Sequence, residues 1–350
     1  MKLGVLLLNL GGPSSLEDVE PFLVALFSDP DTLPVPFSKW LQKPVAKAMA
    51  KLRKPLSQKY YRAIGGGSPL KKITFEQAQA LEEKLNSPHA WGHFEQARVF
   101  VGMQYSKPSI EDAWNEIVHS GRTHLVVLPL YPQCSVATTG ASIKKLKEVV
   151  QKNPYAVKQS LISSWYDHPL YLEALVEKIN VAIHTLPKAY VHNFDLVFSA
   201  HSLPMKLIEK GDPYEEQTKK TVELILKKCV IPNEPTRGEV RDLTVPSWHL
   251  CYQSRTGPIR WLGPSTLATL KNLARQKEKR ALIVVPISFV SDHVETLYEI
   301  DILYKKEAQK LGFPYFARVE SLNTSPKFMA ALEDLVVRQI PVIPNEVRDL

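Results

Sequence analysis

Three segments of the chain place groups able to move protons or hold a cation directly after an apolar run. Behind residues 194–199 stand Ala200, His201, Ser202, Leu203 and Pro204. An imidazole there can serve as base or ligand at neutral pH, or simply bond the loop backbone. Behind residues 281–286 the chain carries Asp292, His293, Glu295 and Glu299. The i, i+3, i+7 spacing of the three acids predicts one face of a helix that begins at this point. Carboxylates in a row beside a histidine can hold a hard or borderline divalent cation, or accept protons. The helix dipole alone, worth about 0.3–1 kcal/mol, would account for Asp292 and Glu295 in a first turn but not for Glu299. The third segment, 130–140, brings Ser135, Thr138 and Thr139 to a helix start, where hydroxyls bind an anion or cap the helix. Capping is the simpler reading.

The elements that must position these groups alternate in type. Val-, Ile- and Leu-rich runs at 4–9, 98–102, 124–129, 157–163, 194–199, 248–252 and 281–286 are continuously apolar, as in parallel strands covered on both faces. Between them, 110–119, 140–150, 170–184, 214–229, 265–275 and 294–310 have the amphipathic period of crossover helices. The repeated order predicts an α/β protein of two Rossmann-like lobes, each a parallel sheet flanked by helices, with ligands beyond the strands' carboxyl ends. The expected division is 1–165 for the first lobe and 166–320 for the second, with a surface insert at about 231–245. A last helix over 321–340 is free to pack back on the first lobe. Residues 341–350 repeat, contracted, the sequence near 231–243 and form a repeat-like tail. Residues 28–72 hold many prolines and end in Gly65-Gly66-Gly67-Ser68-Pro69, an excursion of the kind that borders a cleft.

Composition narrows the function. With 44% hydrophobic and 23% charged residues the chain is ordinary for a folded enzyme, and no apolar run is long enough to span a bilayer. The start, Met1 to Leu10, reads as a first strand and not a secretory signal. Cys134, Cys229 and Cys251 are far apart and form no C-x-x-C pair, which points to a reducing cytoplasm and away from an iron–sulfur cluster. The net charge of +8 is spread over many stretches, so nucleic acid is not expected as a partner. The glycine runs lack both dinucleotide and P-loop spacings, and no G-x-S-x-G elbow occurs.

Taken together in order, several segments resemble the ferrochelatase family over almost the whole chain. They are 8–13 (Leu-Asn-Leu-Gly-Gly-Pro), 61–69, Tyr131-Pro132-Gln133, 199–204, Gly211-Asp212-Pro213-Tyr214, Trp261-Leu262-Gly263-Pro264 and 291–299. The resemblance implies insertion of ferrous iron into protoporphyrin IX in a cleft between the lobes. It implies iron as substrate, no permanently bound cofactor, and His201 and Glu295 as the facing catalytic and metal-handling pair. Asp292, His293 and Glu299 would line an inner acidic path, and Leu10, Arg62, Tyr105, Ser135 and Trp165 would lie against the porphyrin. Gln104 and Ala63 stand where the animal enzymes have arginines, so the propionates need other partners, Arg62 among them. The apolar, proline-bearing 30–50 segment is the expected site of a peripheral membrane contact.

The chemistry of the residues agrees with this. Iron insertion expels two pyrrole protons, so a proton acceptor on the ring face and weak ligands that release the metal are needed. A planar porphyrin hides its lone pairs, so a cleft complementary to a distorted ring would favour the reaction. Three alternatives remain at this point: a cobalt chelatase, a coproporphyrin ferrochelatase, and a non-catalytic porphyrin or haem carrier. The carrier would have no use for the acidic row.

Overall fold

The computed structural model describes residues 1–30, 39–87, 96–229, 231–232, 243–244, 247–276 and 280–340. Strands β1 (Lys2–Asn9), β2 (Gln96–Met103), β3 (His124–Pro129) and β4 (Lys158–Leu161) make one parallel sheet in the order β2-β1-β3-β4. Strands β5 (Phe194–His201), β8 (Ser247–Gln253), β9 (Ala281–Pro286) and β10 (Phe316–Arg318) make another, ordered β10-β9-β5-β8. Between them in sequence, β6 (Ile231–Pro232) and β7 (Leu243–Thr244) form a two-residue antiparallel pairing. The rest of the expected insert, and the repeat-like tail at 341–350, lie outside the described residues.

Read from its first strand, each large sheet has the same spatial order, second-first-third-fourth. In such a sheet the crossovers from the first strand and into the third leave in opposite directions, and a crevice opens between those two strands. One crevice therefore lies at the ends of β1 and β3, the other at the ends of β5 and β9. The two lobes are legible in the sequence, but their common strand order is not, because the lobes share order and not residues.

Side-chain alternation along the central strands explains how the sheets join. Leu3, Val5 and Leu7 of β1 and Leu196, Phe198 and Ala200 of β5 point into one continuous core, which also takes Ile283 and Val285 of β9. Leu6 and Leu8 face the opposite way, onto α4 (Ile110–His119) and α5 (Ala141–Lys152). Val197, Leu282 and Val284 likewise face α9 (Thr266–Leu273) and the helical stretch 295–310. The shared core is filled by α3 (Leu70–Leu85), α6 (Pro169–His184), α8 (Tyr214–Lys228) and α11 (Pro326–Val337). The last helix meets both lobes: Glu333 pairs with Lys84 of α3, and Asp334 with His168 at the start of α6.

Two helix starts depart from the α period that the sequence suggested. Residues Val136–Gly140 form a π turn ahead of α5, and Glu295–Tyr304 form a ten-residue π-helix ahead of α10 (Lys305–Lys310). Asp292 lies before this helix, in the turn that leads into it, so the three acids do not share one helical face. The i→i+5 winding instead brings Glu295 and Glu299 closer to alignment than an α-helix would. The remaining elements are α1 (Val19–Ser28), α2 (Lys39–Ala63) and the short α7 (Met205–Glu209).

Candidate active site

The crevice of the second sheet gathers the titratable groups. His201 is the last residue of β5, and Glu295 is the first of the π-helix that follows β9. Nδ1 of His201 lies 2.8 Å from Oε2 of Glu295, with the imidazole 34% exposed and the carboxylate 16%. Nε2 has no hydrogen-bond partner among the described residues. The peptide carrying His201 is fixed on both sides: its N–H donates to Ser288 Oγ (2.9 Å) and its carbonyl accepts from Tyr214 (2.9 Å). Burial would lower the imidazole pKa, but the charge of Glu295, the hydrogen bond to it and the charge of Glu299 together raise it. Burial likewise opposes ionisation of Glu295, and the imidazolium of His201 outweighs it, holding Glu295 below the usual carboxylate range.

A second tier sits behind this pair. Ser254 Oγ lies 2.7 Å from Glu295 Oε2 and 2.6 Å from Glu299 Oε2, and Gln253 Nε2 donates to Glu299 Oε2 (3.1 Å) and to the Glu295 carbonyl (3.0 Å). One hydroxyl carries one proton, so only one of Ser254's two carboxylate contacts can be its own donation. The other needs a proton from a carboxyl group. Glu299 is the one that holds it: burial, then the charge of Glu295, pushes its pKa up to about 7. His201, Glu295, Ser254 and Glu299 thus form one hydrogen-bonded chain able to pass protons inward. Ser254 occupies the left-handed region (φ 63°), a strained conformation for a residue with a Cβ and one concentrated at functional sites. Sequence reasoning missed Gln253 and Ser254. The strand-end rule applied to β8 would have found them, but their uncharged side chains gave no signal.

His293 is buried, its Nδ1 3.1 Å from the Ser291 carbonyl and its Nε2 4.0 Å from Glu295 Oε1. Burial lowers its pKa, so it is neutral and its Nδ1–H is the donor to Ser291. Asp292, expected on the acidic path, is instead occupied by the fold. It accepts from Arg318 (3.0 Å), Ser321 (2.8 Å), Asn323 (2.9 Å) and Thr296 (3.0 Å), and so anchors the turn before the π-helix.

The porphyrin-contact residues divide in two. Leu10 and Tyr105 come together on an apolar wall with Tyr61, Ile64 and Val294, next to Glu295. Burial, then the charge of Glu295, raises the pKa of Tyr61. Arg62 is exposed in the last turn of α2, beside Tyr61. Trp165 and Ser135 lie elsewhere. Trp165 is 2% exposed, packs on Tyr171 and Phe328 and donates Nε1–H to the Pro129 carbonyl (3.0 Å), so it belongs to the shared core. Ser135 is fully buried with its hydroxyl on Asp212 (2.9 Å), so neither side chain is free to meet a ligand. Among the described residues no three His, Cys, Asp or Glu side chains converge to cage a metal ion.

A family model described as Ferrochelatase matches residues 2–340. Ferrochelatases of Aquifex aeolicus and Gloeothece citriformis are 47% and 45% identical to this chain, over 97% of it in each case and over 100% and 83% of those proteins. The chain belongs to the ferrochelatase family. SirB from Bacillus subtilis, solved with Fe3+, superposes over 97% of this chain and 96% of its own with a TM-score of 0.51. At 14% identity that likeness speaks to the fold alone. Membership in the ferrochelatase family makes the duplicated sheets a scaffold for metal insertion.

Proposed function

We propose that this member of the ferrochelatase family inserts Fe2+ into protoporphyrin IX at the second crevice, with His201 and Glu295 in contact with the reacting atoms. The observation that carries the reading is the 2.8 Å His201–Glu295 pair backed by Ser254 and Glu299. Insertion replaces two pyrrole N–H protons by one Fe2+, so two protons must leave the ring. In its neutral form, with Nδ1–H held by Glu295, His201 takes the first at Nε2, and Glu295 stabilises the imidazolium that results. When Glu299 is ionised, the proton then has a path through Glu295 and Ser254 to its carboxylate. A two-residue site with no third strong ligand suits a metal that must be released to the ring and not retained. No resident cofactor is needed for any of these steps. Leu10, Tyr105 and Val294 offer the macrocycle an apolar wall, and Arg62 is the cation placed to meet a propionate.

Anaerobic mixing of the protein with protoporphyrin IX and Fe2+ or Zn2+, followed by absorption, tests the reading. Metalloporphyrin bands should grow with turnover. A shifted porphyrin spectrum without turnover would mean a carrier, and preference for Co2+ and a reduced tetrapyrrole would mean a cobalt chelatase. Running coproporphyrin in parallel decides the ring.

Three free thiols suit a cytoplasmic enzyme. No described helix is long and apolar enough to cross a membrane. Helix α2 nevertheless supports a peripheral contact. It carries Lys39, Lys43, Lys47, Lys51, Arg53, Lys54, Lys59 and Arg62 with no acid, and exposes Leu41, Leu52 and Leu56. Lys43, Lys47, Lys51, Lys59 and Arg62 are exposed, and such cations beside exposed leucines make a surface suited to anionic lipid. Co-sedimentation with phosphatidylglycerol vesicles but not with phosphatidylcholine is the expected result. Equal recovery in both supernatants would remove the membrane contact.

A further inference from the structure

The Gly211-Asp212-Pro213-Tyr214 segment takes no part in the chemistry just described, yet its acid is a buried polar link between the lobes. Asp212 is buried at the start of α8. Its Oδ2 accepts from Ser135 Oγ (2.9 Å) and from the Val136 N–H (2.8 Å), both in the first-lobe loop after β3. Its Oδ1 accepts from the Tyr214 N–H (3.0 Å). Tyr214 in turn donates its hydroxyl proton to the carbonyl of His201 (2.9 Å). An unbroken hydrogen-bonded path therefore runs from the first lobe through one carboxylate to the peptide that carries His201. Two further bonds extend the seam along the same face of α8: Cys134 N–H to Gln217 Oε1 (2.7 Å) and Gln133 Nε2 to Thr221 Oγ1 (3.0 Å). Gly211, at φ 89°, supplies the left-handed turn that swings Asp212 into this position.

We propose that Asp212 is a positioning residue that sets His201 relative to the first lobe through Tyr214. The inference rests on the reading of His201 as the proton acceptor. Asp212 touches no reacting atom. Its carboxylate receives two first-lobe donors on one oxygen and a second-lobe donor on the other, so the lobes cannot shift at this edge without breaking a buried bond. The His201–Glu295 pair has its geometry fixed by the His201 peptide, and a displacement on the order of 1 Å at a reacting group can lower a rate a hundredfold. Asn at position 212 would turn an N–H toward one of the three donors and open the path.

The test combines Asp212→Asn with Tyr214→Phe, which removes the Tyr214 hydroxyl and with it the link to His201, and leaves the first-lobe bonds of Asp212 in place. Both variants should lose about tenfold in kcat with KM for porphyrin nearly unchanged. The double variant should be no worse than the more affected single one, because both changes break one path. Wild-type kcat and KM for porphyrin in Tyr214→Phe would overturn the proposal, whatever Asp212→Asn does to stability. The split between kcat and KM in Tyr214→Phe reads the positioning, while His201→Ala decides separately whether His201 is the acceptor at all.

Discussion

The two lobes repeat one strand order and use its crevice in opposite ways. In the first lobe, β1 leads into Leu10-Gly11-Gly12-Pro13 and β3 into the 130–136 loop, and the polar groups there serve the fold. Gly67 shows how tightly that side is closed: a Cβ on it would come within 2.3 Å of the Ser14 carbonyl oxygen. In the second lobe, the ends of β5, β8 and β9 deliver His201, Gln253 with Ser254, and the run up to Glu295. Topology provides two equivalent places for a ligand, and the loop residues decide which becomes reactive. The first crevice ends at an apolar wall, the second at the titratable groups.

Removing the base from the second crevice should have the largest effect. His201→Ala is expected to cut insertion by at least about a hundredfold, the usual scale for a positioned general base, while porphyrin still binds by fluorescence quenching. Near-normal turnover would place the reaction outside this crevice. Glu295→Gln keeps size and hydrogen bonding but loses the charge, so kcat should fall by about tenfold or more while porphyrin affinity changes little. The same variant should bring the His201 pKa down, because the Glu295 charge and hydrogen bond are what raise it against burial. An unchanged His201 titration in Glu295→Gln would break the coupling on which the acidic tier depends.

Glu299 gives a pH test with a definite sign. Its folded pKa, near 7, is above the ordinary 4.5, so between those values the folded chain binds a proton that the unfolded chain has released. This group therefore favours folding less and less as pH rises through that window. Glu299→Gln should remove that loss, so its stability relative to the parent chain should increase from pH 4.5 to 7 in urea melts. Its kcat should fall, less than in Glu295→Gln, since the inner end of the proton path is blocked but the ring-facing pair remains. Parallel stability curves for variant and parent would mean that Glu299 is ionised throughout, against the proton count at Ser254.

How much of this was legible in the sequence depends on what each residue announces. The alternation of apolar runs and amphipathic stretches was enough for the two sheets, because continuous Val, Ile and Leu have few other uses. His201 and Glu295 were legible because titratable groups directly after buried strands stand out. The π winding was not, since periodicity arguments assume 3.6 residues per turn; the acids of 292–299 looked like one face when Asp292 was bound to Arg318 ahead of the helix. Trp165 was misread for a different reason. An aromatic residue following a strand looks the same in sequence whether it walls a ligand or fills a core, and only the packing on Tyr171 and Phe328 separates the two.

Trp165 is therefore the smallest and sharpest test of the contrast between the lobes. Trp165→Phe retains an aromatic ring in the shared core but deletes the Nε1–H that satisfies the Pro129 carbonyl at 3.0 Å. An unsatisfied buried acceptor costs about 1–3 kcal/mol. For a chain with a larger cooperative unit, each kcal/mol lowers Tm by roughly 2–4 °C. A fall of a few degrees with kcat and KM for porphyrin within twofold of the parent is the expected outcome. It would assign Trp165 to the joint between the sheets. A KM raised severalfold with Tm unmoved would put the indole against the porphyrin after all, and the first lobe would then supply a specific ring contact in addition to its apolar wall.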